Sequence, residues 1–416
     1  MYYKERNTIT IPVSGMVDVE EFLPLIDSEA YQKLRNIKQL GYAYKKFPGA
    51  THSRFEHGIG TLHMYRMLLN NGHINVNDYE KKLGEAQALL HDIGHGPFSH
   101  QIDGLIGENH NERGLEIIST KLKDQLKKCM IDPDDLIEGF KNPLYQLVSS
   151  IHGADKIDYV IRDSHHVYDS KINTEPLLKH SVYDSKIGFC VAEQGINDLL
   201  SYIDQWYLMH FKVYWDKTVM TAESMLGRAL KRSLDSGILD PNKLSNISEN
   251  EVESILKSSD SSYLMKRLDA GPTNFYKAAI SFKIKGYENK EITDGKSLIM
   301  SIEQKDAEGF PVERDGIDYL IELEKELSSM LNTDVIVSTT PMPKRIRRRN
   351  INIYSNEKGV MPLSEIEPKY TEFLDSRVGN TWVARIIVPQ EYREYVGRKA
   401  DAIVSKLMEY ANTVKI

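Results

Sequence analysis

The chain has 416 residues, a length that fits two or three domains at about 150 residues each. With 53 Lys+Arg against 60 Asp+Glu it carries a formal net charge of −7, which excludes a basic nucleic-acid coat and a polybasic membrane binder. Two cysteines, Cys129 and Cys190, exclude a disulfide framework. No apolar run reaches the ~18–20 residues of a membrane span and the first six residues lack a signal-peptide core, so a cytoplasmic protein that engages no membrane is expected.

In chain order, residues 8–13 are read as a short edge strand, because Pro12 has no amide proton to give a ladder. From there to residue 235 the pattern is mostly helical. Helical spacing runs through Tyr31, Leu34, Ile37 and Gly41, and again through Phe55, Ile59 and Leu62. A helix over 78–93 stops at Gly94-His95-Gly96-Pro97, and further helices fit 110–128, 143–152 and 155–167. Alternation over 181–193 predicts a hairpin, and a helical stretch rich in aromatic residues covers 195–235. Beyond Gly237 the character changes. Ser248 and Glu251 form a capping-box pattern. Strand-like segments at 279–285, 297–303, 334–339, 351–354 and 381–388 then alternate with helices at 316–331 and 390–411. The predicted fold class is mainly α, with a helical N-terminal domain (residues 1–239) and a smaller α+β C-terminal region (residues 240–416).

Of 13 histidines, eight fall within residues 52–110 (His52, His57, His63, His73, His91, His95, His100 and His110). Imidazole is the commonest protein metal ligand and moves protons near neutral pH. Three segments carry the chemistry: Thr51-His52-Ser53-Arg54-Phe55-Glu56-His57, Leu90-His91-Asp92-Ile93-Gly94-His95 running on to His100, and Asp155-Lys156-Ile157-Asp158-Tyr159 running on to Asp163. They offer imidazoles and carboxylates on three helices, which a bundle core can direct inward onto a metal. Two His and two Asp make a nitrogen/oxygen donor set that suits Mn, Fe, Ni or Zn, and without thiolate it is no zinc finger. In the third segment Asp155, Asp158, Tyr159, Arg162 and Asp163 share one helix face, opposite Ile157, Val160 and Ile161. Taken alone, that face is also what a solvated helix with intrahelical ion pairs carries.

The order His57, His91-Asp92, Asp155 resembles the H…HD…D signature of the HD-domain phosphohydrolases. Five spaced motifs bring the likeness closer. They are Gln32 to Gly41, Phe47-Pro48-Gly49-Ala50, Arg54-Phe55-Glu56-His57, His91 to His100, and Asp155 to Tyr159. Together they resemble the HD-domain deoxynucleoside triphosphate triphosphohydrolases, strongly over residues 8–235 and more weakly beyond. The resemblance implies a helical HD-domain core in which His57, His91, Asp92 and Asp155 hold a divalent metal (Mn, Fe, Mg, Ni or Zn). It implies attack at the α-phosphorus of a dNTP, dGTP among them, releasing a deoxynucleoside and inorganic triphosphate. His100 would then be the general acid, oriented by Asp103, with His95 and His110 near the phosphates. Arg54 and Lys156 would hold phosphate oxygens. Tyr159 and Asp163 would meet the sugar, Gln39 and Leu40 would sense the ribose and its 3′-hydroxyl, and Tyr214 and Lys217 would lie on the substrate side.

Two tryptophans depart from the family pattern. Trp215 replaces a polar base-contacting residue, and is either a stacking platform or core; Trp206 falls near a phosphate-binding arginine. The resemblance further implies a homodimer or tetramer and an allosteric GTP or dGTP site, for which Asp27, Gln32 and Arg35 match the guanine-reading positions. The basic run at 344–349 is either a solvated loop or an anion contact; effector phosphates rank above nucleic acid for it. Two other classes remain on the sequence alone: an HD phosphohydrolase acting on another nucleotide phosphate ester, and a nucleotide- or nucleic-acid-binding regulator on an HD scaffold.

Overall fold

The computed structural model describes residues 7–106, 109–244, 247–283, 315–340, 351–379 and 383–413. The strand predicted at 297–303 and the basic run at 344–349 lie outside the described residues. The fold is mainly helical with three small sheets among the described residues. The chain divides into two units, one built from Met1–Ser99, Asn109–His210 and Asn350–Glu367, the other from His100–Glu108, Phe211–Arg349 and Pro368–Ile416.

In the first unit, helix α1 (Arg54–Asn71) is the central element. Ser53 caps it by accepting from the Glu56 amide at 3.3 Å, and residues on nearly every side of it are buried. Helix α2 (Asp78–Leu90) opens on a capping box of Asn77 and Glu80, α3 (His110–Thr120) opens on Asn109, and α4 (Ala154–Tyr168) ends at Asp169 in the left-handed region. Helix α5 covers Ile196–Met209. Tyr31, Phe55, Ile59, Leu62, Leu89 and Ile93 belong to the core between these elements. At Gly60, on α1, an added Cβ would fall onto Arg162 and Asp158 of α4, so glycine is what lets two charged side chains lie against the helix.

The helical spacing over 31–41 resolves into a short helix (Glu29–Gln32) and two 3₁₀ turns (Lys33–Asn36 and Gly41–Lys45). Backbone bonding explains the break. The Ile37 carbonyl accepts from the Arg54 amide at 2.9 Å, and the Gln39 amide donates to the His52 carbonyl at 2.9 Å. This tie to the strand-like lead-in of α1 outcompetes helix continuation. Other predicted helices are shorter than their patterns. The one over 78–93 stops at Leu90, and the one over 110–128 breaks after Thr120 and resumes as Lys123–Lys128. That over 143–152 becomes the turns Pro143–Tyr145 and Gln146–Ser149. The long stretch over 195–235 is interrupted by a π-helical turn, His210–Tyr214, after which Asp216 caps a new helix, Lys217–Asp235.

The predicted hairpin forms as Ser181–Asp184 and Gly188–Ala192, in the middle of a five-stranded sheet. Its neighbours are His73–Ile74 on one side and, on the other, Asn352–Ser355 followed by Gly359–Pro362. The N-terminal strand ends at Ile11 and pairs with Gly15–Asp18, leaving Pro12 in the turn.

The second unit holds an antiparallel three-stranded sheet with Val383–Val388 between Lys277–Lys283 and Ile336–Thr339. Leu323, Leu327 and Leu331 of helix Asp315–Leu331 and Ile403 and Leu407 of helix Ala400–Thr413 pack with it in one core. The helix predicted over 390–411 is in fact two, Arg393–Gly397 and Ala400–Thr413. Arg228 and Glu324 form a buried two-pronged ion pair at 2.6 and 2.7 Å.

Candidate metal centre

His57 lies in the first turns of α1, His91 and Asp92 in the turn that follows α2, and Asp155 in the first turn of α4. The three elements bring these side chains to one point. Nε2 of His57 is 3.2 Å from Nε2 of His91, 3.3 Å from Oδ1 of Asp155 and 3.8 Å from Oδ2 of Asp92. Nε2 of His91 is 3.4 Å from Oδ1 of Asp92 and 3.6 Å from Oδ1 of Asp155. The opposite ring nitrogens are already engaged: Nδ1 of His57 meets Asp158 at 2.8 Å and Nδ1 of His91 meets the Ala88 carbonyl at 2.9 Å. Both rings thus present Nε2 inward, the arrangement in which an outer acceptor fixes the tautomer of a ligating histidine. Two nitrogens and two carboxylates converging in this way fit a divalent transition metal.

The electrostatics agree with that reading. Burial opposes a charge on His57, but hydrogen bonds to Asp155 and Asp158 and the charges of Asp158 and Asp92 push the imidazole up to about 10. Burial also opposes ionisation of the two carboxylates. The charges of His91 and Arg54 nevertheless hold Asp92 well below the usual carboxylate range, and those of Lys156 and His91 do the same for Asp155. Four side chains of acidic and basic character packed this closely form a cation-binding pattern rather than a hydrophobic core.

The proposed phosphate-side cations each pair with one carboxylate of the centre. Arg54 is buried, pairs with Oδ2 of Asp92 and donates Nε to Ser99 Oγ at 2.8 Å. Lys156 pairs with Oδ2 of Asp155, and its Nζ lies 5.8 Å from the centre of the Tyr159 ring. The Tyr159 ring centre is 6.5 Å from that of His57. Trp206 does not present a polar group to solvent: it is buried, and its indole donates to the Tyr159 hydroxyl at 2.6 Å.

Of the remaining expected residues, His95 joins the centre, with Nε2 3.4 Å from Oδ1 of Asp92 and its ring stacked on His110 at 4.0 Å. Arg113 anchors the intervening turn by donating to the Gly94 carbonyl at 3.0 Å. Gln39 Oε1 is buried with no partner among the described residues, and Asp163 meets His52 at 2.8 Å. Leu40 leads into the 3₁₀ turn Gly41–Lys45. His100, Asp103, Tyr214 and Lys217 belong to the second unit. There His100 is exposed and 3.6 Å from Asp103, while Trp215 is half-buried with its ring edge-on to Phe211. Of the allosteric trio, Gln32 bonds the Ile26 carbonyl at 2.8 Å and accepts from Arg35 at 2.7 Å, Arg35 also stacks over Phe55, and Asp27 is exposed.

Sequence reasoning missed the shell around the centre. Arg162, wholly buried, grips Asp158 at 3.0 and 2.8 Å and Glu56 at 2.8 Å, and Glu56 meets His166 at 2.8 Å. The spacing of Asp158 and Arg162 on the face of Asp155 was a signal for two of them. His52 and Glu56 lay in a segment singled out for its chemistry but with no partner to read there, and His166 carried no signal.

The HD-domain profile matches residues 54–158, the span from Arg54 to Asp158. The profile of the HD associated region matches residues 183–411, more than half of the chain. The chain belongs to the HD-domain family. Among relatives of this HD-domain protein, an uncharacterised protein of Methanocaldococcus jannaschii is 29% identical over 89% of this chain and 76% of its own length. A Dictyostelium discoideum homologue of the deoxynucleoside triphosphate triphosphohydrolase SAMHD1 is 27% identical over 61% of this chain, which spans 55% of that protein. A solved phosphohydrolase from Bacteroides thetaiotaomicron shares the fold, with a TM-score of 0.68 and 22% identity over 92% of this chain and all of that one. No helix among the described residues of the HD-domain protein is long and apolar enough to cross a membrane.

Proposed function

We propose that this HD-domain phosphohydrolase is a metal-dependent dNTP triphosphohydrolase, with dGTP among its substrates. The observation that carries this is the meeting of His57, His91, Asp92 and Asp155, with Arg54 paired to Asp92 and Lys156 to Asp155. It joins a place for a divalent ion to two cations suited to phosphate oxygens. The names of the SAMHD1 relatives support the substrate class.

His57, His91, Asp92 and Asp155 would hold the ion. When bound, such an ion polarises a phosphoryl oxygen and lowers the pKa of water beside it toward neutrality. In the proposed reaction water forms a bond to the α-phosphorus, the bond to the 5′-oxygen breaks, and that oxygen takes up a proton. His100, with Asp103 at 3.6 Å, is assigned as the proton donor, and His95 and His110 as the imidazoles near the phosphates. Arg54 and Lys156 neutralise the phosphates, Tyr159 and Asp163 hold the sugar with Gln39 and Leu40, and Tyr214 and Lys217 complete the substrate side. A homodimer or tetramer in the cytoplasm, with GTP or dGTP acting at Asp27, Gln32 and Arg35, completes the proposal.

The test is incubation with Mn²⁺ and each dNTP, with and without GTP, and chromatography of the products. Deoxynucleoside plus tripolyphosphate supports the proposal; orthophosphate or pyrophosphate overturns it. The second outcome would favour another nucleotide phosphate ester as substrate. Trp206 is the observation on that side, since its buried indole falls near the position where the resembling family carries a phosphate-binding arginine.

A further inference from the structure

We propose that His52 is the positioning residue for sugar recognition, holding both Gln39 and Asp163 in place for the 3′-hydroxyl of the bound nucleotide. The inference rests on the substrate class proposed above and adds the residue that organises the sugar end of the site.

His52 lies in the extended lead-in to α1, and its side chain is fully buried. Its imidazole reaches across the fold to α4, where Nε2 meets Oδ1 of Asp163 at 2.8 Å. Its carbonyl accepts from the Gln39 amide at 2.9 Å. One residue therefore bonds both residues assigned to the sugar: Gln39 from backbone carbonyl to backbone amide, and Asp163 through its ring. Facing a carboxylate, Nε2 donates to it, which leaves Nδ1 as the ring nitrogen open to a further partner. That Nδ1 is buried and has no partner among the described residues, and the same is true of Gln39 Oε1.

The ring cannot turn away. It is stacked on His166 at 4.3 Å and 11°. His166 is itself held by Glu56, Glu56 by Arg162, and Arg162 by Asp158. A buried acceptor left without a donor costs about 1–3 kcal/mol. Such a cost is tolerated where the groups are kept for a ligand, and a sugar hydroxyl is a ligand that both donates and accepts.

The experiment compares KM and kcat for a dNTP and its 2′,3′-dideoxy analogue in the wild-type enzyme, His52→Ala, His52→Gln, Asp163→Ala and the double variant His52→Ala/Asp163→Ala. Metal content and melting temperature are recorded for each. The expected result for His52→Ala is a rise of about tenfold in KM for the dNTP, with kcat held within about threefold and the dideoxy substrate unaffected. His52→Gln, whose carboxamide can donate to Asp163, recovers most of the loss. The double variant is no worse than Asp163→Ala alone. Equal losses on both substrates, or additive losses in the double variant, overturn the proposal. If His52→Ala fails to fold, His52→Phe, which can keep the stack on His166 but cannot donate to Asp163, carries the same comparison: an unchanged preference for the 3′-hydroxyl overturns the proposal. A wild-type enzyme that cleaves dNTPs without favouring the 3′-hydroxyl overturns this inference alone. One that leaves every dNTP intact overturns the proposed function and this inference with it.

Discussion

Asp158 and His57 lie 2.8 Å apart, carboxylate to Nδ1, and the carboxylate is clamped from behind by the guanidinium of Arg162 at 3.0 and 2.8 Å. The pair couples the third helix of the centre to the imidazole of the first. It aims Nε2 inward and raises the basicity of the ring. Loss of an outer-shell carboxylate of this kind lowers metal affinity by about 10–100-fold. Asp158→Asn should therefore bind Mn²⁺ more weakly by that factor in isothermal titration calorimetry. An affinity equal to that of the wild type would separate Asp158 from the metal centre.

Gly60 provides a steric check on the same clamp. A methyl group there would overlap both Arg162 and Asp158, neither of which has room to retreat, since both are buried. Forcing extra volume into a packed interior costs about 1–3 kcal/mol. Gly60→Ala should lose stability in that range in urea titration and lose metal affinity in parallel. Gly114→Ala, whose Cβ would meet its neighbours at 3.5 Å and beyond, should show much smaller changes.

His152 gives a pH prediction outside the ligand set. It is 2% exposed, stacked on Phe189 at 4.2 Å, and neither ring nitrogen has a partner among the described residues. Burial pushes its pKa down to about 3, far below the value of about 6.5 for an unfolded histidine. Below 6.5 the unfolded chain takes up a proton that the folded chain does not. The His152 contribution to stability is thus fully present above about pH 6.5 and is lost as the pH falls toward 3, at up to about 1.4 kcal/mol per pH unit. Chemical denaturation at pH 7 and pH 5 should show a steeper loss for the wild type than for His152→Phe. Parallel losses would rule out His152 as the source.

How much of this was legible in the sequence differs from one part to another. The spacing of Asp155, Asp158, Tyr159, Arg162 and Asp163 gave the face of α4 correctly, and the helix runs within a residue of its predicted bounds. Periodicity could not tell a solvated face from a buried one. In the structure Asp155, Asp158, Arg162 and Asp163 are buried together with Ile157 and Val160 on the other side. What decides between the two is a set of partners about a hundred residues away, Glu56, His57 and His52. No local pattern encodes such pairings. The segment 31–41 fails for a related reason, because a backbone tie from Ile37 to Arg54 overrides its helical spacing.

The second unit offers its own test in Arg228 and Glu324. Both are buried, bonded twice, and Oε1 of Glu324 also accepts from the Val337 amide at 2.7 Å. Removing one partner of such a pair leaves an uncompensated buried charge and costs about 3–5 kcal/mol. Arg228→Ala should lower the melting temperature sharply, and Arg228→Ala/Glu324→Leu should recover part of the loss. A double variant less stable than the single would show that the carboxylate is held by other groups.

The strand Asn352–Ser355 pairs in parallel with Gly188–Ala192, so the sheet of the first unit is finished by residues that arrive only after Phe211–Arg349 of the second unit has been made. A chain leaving the ribosome would carry the metal-site helices long before the last two strands of that sheet exist. The exposed edge of Gly188–Ala192 must then wait through more than a hundred and fifty residues of translation, a window in which an unpaired strand invites intermolecular pairing. Truncation between residues 193 and 350 would make that window permanent, and such fragments should aggregate even though every side chain proposed for the metal is present in them.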